Sequence, residues 1–314
     1  MSNGFVFPGQ GSQSVGMGKT LADAYPAARA VFAEVDDTLG EALSTLIFEG
    51  PEDRLTLTAN AQPALMAVSL AALAALEAEG VTLEAHAAYV AGHSLGEYSA
   101  LAAAGSLSIA DAARLLRIRG NAMQAAVPAG QGAMAALLGL DFETARAVAE
   151  EAAGGDVCEA ANDNAPGQVV VSGDKAAVER AVEIAKARGA KRAMLLQVSA
   201  PFHCRLMAPA AEAMAEALAA AHIHAPRVPL VANVTAAPIV DPDEIRRRLV
   251  EQVTGTVRWR ESVATLRELG VDRFVEIGSG RVLAGLIKRI AADSAQISVG
   301  TPDEAKAAAA ILRG

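Results

Sequence analysis

The stretch Val90-Ala91-Gly92-His93-Ser94-Leu95-Gly96-Glu97 presents a serine inside a G-x-S-x-G pattern. The apolar run 87–91 reads as a buried strand and 95–104 as a helix, the strand–turn–helix context that a nucleophile elbow requires. Such a turn is tight enough that a side chain two positions either side of the serine would strike a neighbouring element. Ser94 would stand at a helix N-terminus, where free N–H groups and the helix dipole favour developing negative charge.

A serine hydroxyl needs a base to take its proton. Of five histidines, His86 falls in a loop, His222 and His224 fall in a polar tail, and His93 is the serine's immediate neighbour. His203, in Ser199-Ala200-Pro201-Phe202-His203-Cys204, sits between a strand and a helix and is the best candidate base. The acids between Ser94 and His203 include Asp111, Asp141, Asp156, Asp163 and Asp174. Each lies at a helix start or in a separate subdomain, which favours a Ser–His dyad oriented by a backbone carbonyl. Elbow geometry makes the Leu95 N–H one oxyanion donor. The loop Pro8-Gly9-Gln10-Gly11-Ser12-Gln13 could fold over the elbow and supply another, or simply turn its amides to water. Arg119 precedes Gly120 on a helix begun by Ser108; in a pocket it would bind a carboxylate, and on an open face it would be an ordinary surface arginine like Arg114.

These residues need a scaffold, and 314 residues suffice for a substantial core. Composition is 52% hydrophobic and 20% charged, which is globular, and the net charge of −9 argues against nucleic-acid or anionic-membrane partners. Two cysteines, Cys158 and Cys204, make neither a disulfide framework nor a zinc site. No leader-like segment opens the chain, and the apolar helix at 64–76 reads as too short and alanine-rich to span a bilayer. A cytoplasmic protein is expected. From residue 128 a βαββαβ order, with 162–167 as a turn-rich connection, reads as a ferredoxin-like unit. The expected fold class is α/β: an α/β-hydrolase-like catalytic domain with a parallel sheet, 1–127 and 199–314, carrying an inserted ferredoxin-like subdomain at 128–198. Gly278-Ser279-Gly280 before a helix is only a weak phosphate-loop signal, lacking the third glycine and the lysine of the known motifs.

The ordered set of motifs is specific when taken together. Phe7-Pro8-Gly9-Gln10-Gly11-Ser12-Gln13, Gly92-His93-Ser94-Leu95-Gly96-Glu97, Arg117-Ile118-Arg119-Gly120 with Met123-Gln124, Gly167-Gln168-Val169-Val170-Val171-Ser172-Gly173, Phe202-His203 and Glu276-Ile277-Gly278 resemble the malonyl-CoA:acyl carrier protein transacylases of bacterial fatty acid synthesis, relatives of polyketide synthase acyltransferases. The resemblance implies Ser94 as the acyl-carrying nucleophile, His203 as its base, and Gln10 with Leu95 as the oxyanion hole. It implies Arg119 as the binder of the substrate carboxylate and Gln252 as the residue whose backbone carbonyl orients His203. Malonyl-CoA would be substrate and acyl carrier protein the acceptor, with no cofactor and no metal. Ser279 departs from the proline common in relatives. The carrier protein is acidic in this pathway, so its docking would fall to local basic groups such as Lys191, Arg192, Arg281 or Lys288. A serine hydrolase sharing the elbow and a non-catalytic scaffold are the competing readings.

Overall fold

The computed structural model describes residues 1–314. Its strands are β1 (Ser2–Phe7), β2 (Tyr89–Gly92), β3 (Gly132–Leu138), β4 (Cys158–Ala165), β5 (Gln168–Asp174), β6 (Arg192–Leu195), β7 (Leu230–Val231), β8 (Pro238–Ile239), β9 (Val271–Ile277) and β10 (Ala295–Val299). They form a six-stranded sheet ordered β10-β9-β1-β2-β7-β8 and a four-stranded sheet ordered β4-β5-β3-β6. The larger is parallel except for β8, which turns back against β7. The smaller is antiparallel throughout. With its two crossover helices, Phe142–Ala153 and Lys175–Ala187, it is a ferredoxin-like βαββαβ unit inserted into an α/β-hydrolase-like scaffold.

Sequence accounts for the central strands directly. Phe5, Val6 and Phe7 are wholly buried because β1 lies between β2 and β9 with layers on both faces, where a continuous apolar run is favoured over alternation. One face packs on the helix Thr58–Ala78, which is covered on nearly every side. That helix has 21 residues and is by length and composition apolar enough to cross a membrane, more so than the stretch 64–76 alone, and it is almost wholly buried inside the protein. Its partner Ile109–Ala125 approaches closely at Gly120, where an added Cβ would lie 2.7 Å from the Ala59 Cα and the Thr58 carbonyl. Ser108 caps that helix by accepting from the Asp111 amide, and Arg114 is exposed beside it.

The expected turn at 162–167 proves to be strand, with only Pro166-Gly167 left between β4 and β5. Local composition is overridden by tertiary partners. The register slips on either side of Asn162–Asp163, and the 256–258 segment pairs with this bulged stretch through Val257 N to Ala161 O and Asp163 N to Val257 O, each 2.9 Å. Asp163 adds an ion pair to Arg260 at 2.8 Å. These bonds strap the small sheet to the large one. Further elements that sequence reading did not anticipate are β8, β10 and the C-terminal helix Pro302–Arg313. The helix expected from residue 205 begins as a 3-10 turn, Arg205–Met207, before Ala208–Ala220.

Beneath the strap, Trp259 is fully buried with Val6, Ala91, Val257 and Leu266, and its ring lies 5.7 Å from that of His93. Trp259→Ala should therefore cost about 3–5 kcal/mol of stability. Denaturant unfolding of the two proteins side by side measures the difference.

Candidate active site

The elbow is formed by contact between backbones. A Cβ on Gly92 would collide with the carbonyl carbon and oxygen of Gly96, and one on Gly96 would collide with the Phe7 carbonyl oxygen at the end of β1. Between them Ser94 adopts φ 54°, a left-handed conformation rare for a residue with a side chain. The Ser94 amide donates to Asn233 Oδ1 at 2.8 Å, while Asn233 Nδ2 donates to the Gly92 carbonyl at 2.6 Å. One asparagine thus holds both ends of the turn, and Gly96–Ala103 starts its helix directly after it.

His203 also has positive φ, 57°, and is almost wholly buried. Its Nε2 lies 2.8 Å from Ser94 Oγ and its Nδ1 2.9 Å from the Gln252 backbone oxygen. A carbonyl can only accept, so Nδ1 carries the ring proton and Nε2 is left to accept from the serine. Burial pushes the His203 pKa down to about 3, with the nearby charge of Arg119 adding to the effect. None of the five aspartates considered from sequence serves His203. Asp111 and Asp141 work at helix starts, Asp156 pairs with Arg180, Asp163 with Arg260, and Asp174 accepts from the Val157 amide.

Arg119 is only 1% exposed. Its Nη1 donates to Gln62 Oε1 at 2.7 Å, and its Nη2 reaches Gln252 Oε1 at 2.8 Å and Ser94 Oγ at 3.2 Å. Its Nε is buried without a partner in the protein. The row continues outward: Gln62 Nε2 donates to Thr58 Oγ1, and Thr58 Oγ1 donates to Gln10 Oε1, each 2.9 Å. Gln10 is thereby fixed over the elbow, helped by Gly9, where a Cβ would lie 2.5 Å from the His93 carbonyl oxygen. The amides of Gln10 and Leu95 donate to no protein acceptor.

Gln10, Ser94, Leu95, Arg119 and His203 line one cavity of about 290 Å³, walled by Met123, Met134, Val170, Leu196, Val198 and Phe202. Gln252 stands behind it. All six residues singled out from sequence are brought together. Met134 and Val170 come from the small sheet, so the cavity opens between the two sheets. His93 turns away from the base and bonds Asn164 Oδ1 at 2.8 Å. No cluster of three His, Cys, Asp or Glu side chains suited to a metal ion occurs.

Sequence reading missed the polar residues behind the site. Gln62, Asn233 and the side-chain amide of Gln252 lie in segments that read as helix or connection, with no local pattern to flag them. Glu97 was visible in the motif but resembles any first-turn acid; it is buried at 1% exposure, and loss of water raises its pKa to about 8. Glu276 was likewise seen only as part of a motif. Its side chain accepts from the amides of Leu283 at 3.0 Å and Ala284 at 2.8 Å, so the start of the helix after Gly278-Ser279-Gly280 is occupied by an internal carboxyl group, whose pKa burial raises to about 7.

Comparison with known proteins agrees with this geometry. The acyl transferase domain family matches residues 4–303. The malonyl CoA-acyl carrier protein transacylase of Bacillus subtilis (strain 168) is 48% identical over 310 residues, covering 98% of this chain and 96% of that protein. Its Escherichia coli (strain K12) counterpart is 48% identical over 286 residues, covering 91% and 92%. The crystal structure of an acyl-carrier-protein-S-malonyltransferase from Bartonella henselae superposes with a TM-score of 0.98 at 57% identity, covering 100% of both chains. A malonyl-transacylase solved in complex with a type II PKS acyl-carrier protein gives 0.96 at 43% identity, covering 99% of this chain and 100% of that one. With a serine elbow, a carbonyl-oriented histidine and this likeness along nearly its whole length, the chain belongs to the acyl transferase domain family.

Proposed function

We propose that this chain transfers a malonyl group from coenzyme A to the phosphopantetheine thiol of an acyl carrier protein, in cytoplasmic fatty acid biosynthesis. The observation that carries the reading is the convergence of the Ser94–His203–Gln252 row with Arg119 on a single cavity. In the first half-reaction His203 Nε2 takes the Ser94 proton as Oγ attacks the thioester carbon. The oxyanion forms beside the free amides of Leu95 and Gln10; one such donor is worth about 3–4 kcal/mol. Collapse breaks the C–S bond, and the departing coenzyme A sulfur receives the proton from His203. In the second half-reaction the carrier thiol gives its proton to His203 and attacks the acyl-serine ester, and the proton returns to Ser94 Oγ.

Arg119 supplies selection. It lines the cavity with Nη2 beside Ser94 Oγ, and a carboxylate in that sheltered site would form a charge-assisted bond. The relatives' names and the carrier-protein complex support malonyl and carrier protein as donor group and acceptor.

Mixing the protein with malonyl-CoA alone should produce a persistent malonyl adduct by intact mass, absent in Ser94→Ala; steady release of free malonate without an adduct would instead indicate a hydrolase. Arg119→Ala should lose roughly 1.5–3 kcal/mol of malonyl preference, or about one to two decades, bringing malonyl and acetyl loading level. A retained preference sinks the Arg119 assignment. Because a base is active when unprotonated and His203 is held far below the ordinary histidine range, kcat/KM should show no acid limb near 6.5, the ordinary histidine value. A pH–rate profile with a histidine-like limb there contradicts this.

A further inference from the structure

Arg119 is a buried cation with no carboxylate in contact. Its partners are the amide oxygens of Gln62 and Gln252 and the Ser94 hydroxyl, with the Tyr98 ring centroid 5.8 Å from Cζ. Glu97 stands one step behind. Gln252 Oε1 accepts from Arg119, while Gln252 Nε2 donates to Glu97 Oε2 at 2.6 Å and to the Ser94 carbonyl at 2.9 Å. A single amide therefore has the cation at its oxygen and the acid at its nitrogen.

Apart from Arg119, the groups around Glu97 are uncharged. Tyr98 faces it from its own helix, Arg119 from Ile109–Ala125, Gln252 from Pro242–Thr254, and the Asn233 amide from the segment after β7. His203 adjoins Arg119 from the remaining side and is itself uncharged.

We propose that Glu97 stands behind Arg119 as an un-ionised carboxylic acid, coupled to it through the Gln252 side chain, so that the guanidinium keeps its charge for the substrate's carboxylate. The inference rests on the malonyl-binding reading of Arg119. An ionised Glu97 would place a second anion on the far side of the same cation in a low-dielectric site and compete with the substrate for it. Burial outweighs the favourable bonds at this carboxyl and lifts its pKa to about 8. The acid is therefore neutral below that pH and becomes the competitor above it.

The test is Ser94 loading from malonyl-CoA and from acetyl-CoA, followed by intact mass for the native protein and Glu97→Gln. From about pH 7 to about pH 9 the native malonyl-over-acetyl preference should fall about tenfold, the scale of one added nearby charge. The fall should reside in KM for malonyl-CoA, leaving kcat and the acetyl-CoA constants unmoved, and in Glu97→Gln the preference should stay level with pH. A native preference that does not change, or a fall that survives in Glu97→Gln, overturns the proposal. Should that variant not fold, Glu97→Met, a neutral side chain of similar length, takes its place: a preference level with pH supports the proposal, and a fall that survives overturns it. Failure of the native protein to load either acyl group would overturn the acyl-serine reading, and this inference with it.

Discussion

The contact between the backbones of Gly92 and Gly96 is the constraint to which the site is referred. Because two peptide planes touch there, the serine between them has no alternative to its left-handed conformation, and its hydroxyl is thrown clear of the sheet. The same closeness recurs at Gly9 against His93 and at Gly96 against the end of β1. It brings the Gln10 loop onto the elbow, where the Thr58 hydroxyl holds the Gln10 side chain. Asn233 then locks the turn from behind, and Gln252 locks the imidazole. The placing of the nucleophile follows from how closely main chain can approach main chain.

Around this turn the protein uses neutral polar groups where many hydrolases use charged ones. The imidazole is oriented by a peptide carbonyl, and the buried guanidinium is solvated by two glutamines and a hydroxyl. A carboxylate in direct contact would hold either group more tightly. It would also stabilise an imidazolium and cancel the cation's charge. Amides satisfy hydrogen-bond donors without adding a net charge, so the histidine stays a free base and the arginine stays an unspent cation.

Where sequence reasoning worked, short-range rules were decisive. The glycines of the elbow, the Ser108 cap and the apolar β1 each reflect a local steric or hydrogen-bonding demand that any partner would impose. The βαββαβ order was legible for the same reason. The strand at Asn162–Asn164 was hidden, because its polar residues read as a turn until Val257, Arg260 and His93 supply their partners from far along the chain. The backbone carbonyl of Gln252 had no signature of its own, since every residue type carries one; only resemblance to a family pointed to it. Nothing local marked Glu97 and Glu276 as buried, because burial is a property of the fold and not of the five residues on either side.

The placement of β1 has a consequence for synthesis. The earliest strand of this sequence lies at the middle of the sheet, and one of its two neighbours, β9, comes from residues 271–277. Until those residues emerge, Phe5 and Phe7 have only one flank covered and β1 offers an unpaired apolar edge to anything nearby. Closing that gap joins parts of the chain more than 260 residues apart, which topology makes slow. Until β9 is made the nascent protein therefore carries a sheet open at its heart, and its arrival closes the apolar edge of β1.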